Sequence, residues 1–129
     1  MQIRLKNEIK LDDQLEVIDQ IYDVEVTEKN NQHYLVFTNE ENEKVIIKAG
    51  DKELVMTRFS TPKSLMRFVL EEEAIVVIPT PMGLQHFVTD TYAYSLHREN
   101  QAIQLQYDLK ALGSDQIFAS YKMDIQWFE

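Results

Sequence analysis

Turn-forming residues recur about every ten positions along this chain, separating about ten short segments that have the composition of β-strands. That spacing constrains the fold more than any other feature, because it leads to an antiparallel barrel or sandwich. With 129 residues, the length suits one domain around one core. An apolar content of 44% with only three Gly and three Pro excludes a disordered or fibrous chain.

Charge and cysteine content narrow the partners. Twenty-two acidic residues against thirteen basic ones give a net charge of -9, and the cations are spread from Arg4 to Lys122. No basic face is expected, which argues against both nucleic acid and an anionic membrane as partners. Cysteine is absent, so disulfides, zinc-thiolate centres and a cysteine nucleophile are excluded. The expectation is a cytoplasmic protein. Met1 to Lys6 alternates in charge and does not resemble a secretion signal, and the longest strictly apolar run, Ala74 to Ile78, is too short for a membrane helix.

Strand patterns can be read segment by segment. Ile3, Leu5, Ile9 and Leu11 alternate with Arg4, Lys6, Glu8 and Lys10, the pattern of a half-buried strand. Leu15 to Glu28 also fits helical spacing through Leu15, Ile18, Ile21 and Tyr22, but the alternation of Tyr22, Val24 and Val26 favours a strand. A two-residue turn at Asn30-Asn31 sets Val26 opposite Leu35 and Val24 opposite Phe37. A turn at Gly50-Asp51 would set Ile47 opposite Leu54, Ile46 opposite Val55, Val45 opposite Met56 and Lys48 opposite Glu53.

Further strands are expected at Lys63 to Leu70, Ala74 to Pro79, Leu84 to His97, Gln101 to Leu109 and Gln116 to Phe128. In the last, Ile117, Tyr121, Met123, Ile125 and Trp127 alternate with Ser120, Lys122, Asp124 and Gln126. Helix is expected for at most a turn or two, around Leu109 to Leu112. So many strands on short connections would leave long exposed edges in a flat sheet, and closure removes them. The predicted fold is all-β, a closed antiparallel barrel of eight to ten strands.

Several motifs together resemble a known family. These are Lys48 and Arg58 in successive strands, Met66 and Phe68 in the next, Thr80-Pro81-Met82-Gly83 leading into Val88-Thr89, and Tyr107-Asp108-Leu109 before the last strand. Their order and spacing resemble the YwiB-like proteins of Gram-positive bacteria, a family of unknown function. The resemblance extends over nearly the whole chain and implies a lipocalin-like (calycin-type) barrel in the cytosol. It brings no activity, cofactor or catalytic residue. Two departures concern glycines: Ser60 stands where the family pattern has one after its arginine, and none is present around Ile21 to Asp23.

Candidate site residues interrupt apolar strands. Arg58 and Arg67 each do so, and if the Ser60 to Ser64 turn makes them same-face neighbours they could hold a carboxylate or phosphate. A one-residue change in that turn would put them on opposite faces. Ordinary ion pairing, with Glu43 opposite Arg58, is the structural alternative. His86, Asp90, Tyr92 and Tyr94 share one parity and could line a polar cavity, or serve as core aromatics with wet hydroxyls. His86 and Asp90 would lie about 13 Å apart in a strand, too far for one metal ion.

Other motifs have structural explanations. Thr80 to Gly83 fits a type I turn, and Glu71-Glu72-Glu73 fits a solvated connection. No nucleophile elbow, phosphate loop or EF-hand is present, so no cofactor or metal is expected. The reading is a non-catalytic protein that holds a small amphipathic or anionic ligand, with Arg58, Arg67, His86, Tyr92 and Tyr94 as candidate contacts. The alternative is an interaction module or homodimer using an apolar outer strand face at Val55 to Phe59 and Met66 to Leu70. An enzyme of unknown reaction is the third.

Overall fold

The computed structural model describes all 129 residues as one closed antiparallel barrel of ten strands with no helix. The strands are β1 (Gln2–Leu11), β2 (Gln14–Lys29), β3 (Gln32–Thr38), β4 (Lys44–Ala49), β5 (Glu53–Arg58), β6 (Ser64–Val69), β7 (Glu72–Thr80), β8 (Gly83–His97), β9 (Ala102–Ala111) and β10 (Ile117–Phe128). Each pairs with the next, and β10 returns to β1. Closure satisfies the backbone inside the wall, and 72 of the 82 backbone hydrogen bonds lie within the strands.

The ambiguous second segment is one long strand, β2. Its turn at Asn30-Asn31 has the positive φ values of 54° and 63° that a two-residue loop favours. Val26 faces Leu35 and Val24 faces Phe37, as the pattern predicts. The next predicted hairpin is off by two residues in register. Its tip is Asp51-Lys52, with Ala49 opposite Leu54 and Ile47 opposite Met56. The shift keeps every side chain on its expected face and buries Ala49 and Leu54 completely.

Two irregularities reverse predicted faces. A bulge between Thr91 and Ala93 leaves Tyr92 as the extra residue, and a second between Ile117 and Ala119 does the same for Phe118. A bulge breaks the two-residue alternation, so Tyr94 turns inward while Tyr92 and Ile117 are exposed. The helical turn expected near Leu109 to Leu112 is absent; β9 runs through Ala111 and a turn follows.

The barrel is asymmetric from end to end. The lower end carries the Asn30-Asn31 and Asp51-Lys52 turns, and the side chains just inside it are fully packed. There Ile3, Leu35, Ile47, Leu54, Ile103 and Ile125 are inaccessible to solvent, beside Trp127. Toward the upper end, where β3 passes to β4, the inward positions Leu5, Asn7, Ile9, Met56, Met66 and Tyr121 are only half-buried. The packed lower core therefore holds the fold, and the upper end stays accessible.

Candidate functional site

The five residues singled out from the sequence are not brought together. In the β5–β6 register Arg58 faces Ser64 and Arg67 faces Val55, so the two arginines lie on opposite faces of the wall. Arg58 is at the upper rim, 3.8 Å from Glu43, while Arg67 on the outside is 2.8 Å from Glu53. Glu53 therefore pairs with Arg67 and not with Lys48, which lies over the Tyr34 ring. His86 and Tyr92 are exposed. Tyr94 is buried at the lower end, where its hydroxyl donates to the Gly50 carbonyl at 2.7 Å.

What the fold does gather is a polar cluster and a groove around the point where the pairing of β2 passes from β1 to β3. Up to Asp23 this strand pairs with β1, and from Val24 onward it pairs with β3. The Asn39–Glu43 connection folds back to this part of β2. Asn39 Oδ1 accepts from the backbone N–H groups of Glu41 and Glu43 at 3.0 and 2.9 Å, so the asparagine fixes the loop from within. The loop thereby presents Glu40, which accepts from the Tyr22 hydroxyl and from Gln20 Nε2.

Burial, reinforced by the Glu40 carboxylate, pushes the Tyr22 hydroxyl up to about 12. The same hydrogen bond holds Glu40 below its ordinary range, with Arg58 as a further favourable charge. Tyr22 stacks on Phe37 with ring centroids 5.0 Å apart. Beside this pair runs a groove of about 700 Å³ lined by Tyr22, Asp23, Glu25, Val36, Phe37 and Lys44 among others. It offers an aromatic wall, an ammonium and carboxylates within one concavity, which suits an amphipathic molecule better than a bare anion.

Of the predicted residues, only Arg58 adjoins this cluster. Tyr22, Phe37, Glu40 and Lys44 were not singled out, although a signal existed for two of them. The Asn30-Asn31 turn sets Val24 opposite Phe37, and Tyr22 is then the diagonal neighbour of Phe37 on the same face. No group of three or more His, Asp or Glu side chains is placed to hold a metal ion.

Known proteins place this barrel in a family. The crystal structure of the ywiB protein from Bacillus subtilis matches with a TM-score of 0.77, covering 99% of this chain and 91% of that one at 21% identity. At that identity the likeness speaks for the fold. No curated protein sequence matches the chain. Residues 3–125 match the family described as Domain of unknown function (DUF1934). Since that match extends over nearly every strand, the protein belongs to the DUF1934 family, the YwiB-like group with a closed lipocalin-like barrel.

Proposed function

We propose that this protein is a non-catalytic binding protein that holds a small amphipathic ligand at the upper rim of the barrel. The carrying observation is the groove of about 700 Å³ lined by Tyr22, which stacks on the buried Phe37, together with Val36 and Lys44. An apolar portion of the ligand lies against Tyr22 and Val36, and its polar end meets Lys44. Arg58 is already engaged by a carboxylate, so an anionic ligand group has to compete with Glu43. Arg67, His86 and Tyr92 lie elsewhere on the wall and are not contacts in this reading.

Titration with the amphipathic fluorophore 1-anilinonaphthalene-8-sulfonate tests it. Saturable binding of one fluorophore per chain is expected, weakened about tenfold or more by Thr38→Trp, which enlarges an exposed groove residue and fills the space. Binding unaffected by that substitution, in a variant whose circular dichroism is unchanged, overturns the proposal. Native mass spectrometry of protein purified from its own host then identifies the natural occupant.

A further inference from the structure

His33 is 6% exposed at the lower end of the barrel, and both of its ring nitrogens face charged groups. Nδ1 lies 3.3 Å from Nη1 of Arg98, and Nε2 lies 3.6 Å from Oε2 of Glu28. A guanidinium only donates, so Nδ1 has to be the accepting nitrogen, and the single ring proton sits on Nε2 toward the carboxylate. The contact with Arg98 therefore exists only while the imidazole is neutral.

The surroundings of the ring decide what a second proton does. β2 contributes Glu28, directly opposite His33 in the ladder, and the β8–β9 connection contributes Arg98. Arg98 brings with it Asp51 of the β4–β5 turn, at 3.0 Å, and its Nη1 is also 3.7 Å from Glu28. β4 supplies Ala49, opposite His33, and β10 supplies Trp127, with its ring centroid 5.4 Å away; neither titrates. Two carboxylates against one guanidinium leave room for a second positive charge in this cluster. The place of the new proton is what the site does not satisfy, because an N–H on Nδ1 points at the N–H groups of a cation.

We infer that protonation of His33 is a switch for the lower end of the barrel. The imidazolium keeps Glu28 and expels Arg98 Nη1 from the ring. The same guanidinium donates to the Asn31 carbonyl at 2.8 Å and to Asp51, so its departure loosens the clamp across the Asn30-Asn31 and Asp51-Lys52 turns. The inaccessible core side chains Ile3, Leu35, Ile47 and Ile125 carry no titratable group, and the barrel itself stays folded.

Trp127 is the only tryptophan in the chain and packs on the His33 ring, so it reports the added charge through quenching of its emission. Emission followed from pH 8 to pH 5 should fall in one transition that is absent in His33→Gln. Because Arg98 opposes the second proton and Glu28 favours it, the transition should move up by about half a pH unit or more in Arg98→Ala. It should move down by a similar amount in Glu28→Gln. Hydrogen-exchange protection of the two turns, corrected for the intrinsic rate at each pH, should fall about tenfold across the transition and stay constant in His33→Gln. Circular dichroism should be unchanged throughout. Absence of the transition overturns the inference, as does a transition that Arg98→Ala leaves in place or moves down. Turn protection equal on both sides of it, or loss of the barrel's circular dichroism at pH 5, overturns it equally.

Discussion

The Tyr94 hydroxyl donates to the Gly50 carbonyl at 2.7 Å, tying β8 to the β4–β5 turn across the lower end of the barrel. The same hydroxyl lies 3.3 Å from the Glu53 carbonyl, so one side chain fastens both sides of the Asp51-Lys52 turn. This contact exists because the bulge at Tyr92 rotates Tyr94 inward. Tyr94→Phe keeps the ring packing and leaves the carbonyls without that donor. A loss of about 1–2 kcal/mol is expected. Urea unfolding monitored through Trp127 measures it.

Thr89 and Thr91 are both fully buried on β8, yet they predict opposite outcomes. The Thr89 hydroxyl donates to the Arg67 carbonyl at 2.6 Å and joins β6 to β8, where β6 and β7 share only the Leu65–Val77 pair. The Thr91 hydroxyl has no partner. Thr89→Val should cost about 1–3 kcal/mol, whereas Thr91→Val should be neutral or stabilising by about 1 kcal/mol. Paired thermal melts of the two variants decide; equal losses would refute the distinction.

Arg98 closes the lower end through several elements at once. Its guanidinium donates to the Asn31 carbonyl at 2.8 Å and to Asp51 at 3.0 Å, and lies 3.3 Å from His33 Nδ1. Arg98→Lys cannot reproduce that fork, so it should destabilise nearly as much as Arg98→Ala, by about 1–2 kcal/mol. Hydrogen exchange at the Asn30-Asn31 and Asp51-Lys52 turns should rise in both variants. Full rescue by lysine would show that charge alone suffices.

Alkaline pH should unfold the barrel through its tyrosines. Burial raises Tyr94 and Tyr107 well above the ordinary phenol range, with Tyr22 pushed up to about 12. The folded state therefore favours the neutral phenols. Their contribution is complete below the unfolded value of about 10 and is lost as pH rises toward the folded values. Stability should be flat in this respect up to about pH 9.5 and fall above it, with a gentler fall in Tyr107→Phe. Denaturant midpoints across pH 8 to 11.5 provide the measurement, and an unchanged slope in Tyr107→Phe would remove that residue from the account.

Local chemistry in the sequence was enough to determine the strands, their number within a narrow range, and the closed all-β architecture. Alternation reports burial directly, and Asn30-Asn31 supplies its own turn geometry. It was also enough to place Arg58 beside Glu43, although through a different pairing than the predicted register. Tertiary structure decided which end of the barrel stays accessible, which residues meet there, and which faces the two bulges reverse. A bulge adds one residue to one strand only, so it shows in the register between two strands and not in the alternation of either one alone. Arg58 and Arg67 part company for a related reason: whether two residues on adjacent strands share a face depends on the register that the whole closed sheet imposes. Tyr22 and Phe37 are neighbours through the Asn30-Asn31 turn, whereas Glu40 joins them because the Asn39–Glu43 connection folds back against β2, a long-range contact that no local pattern encodes.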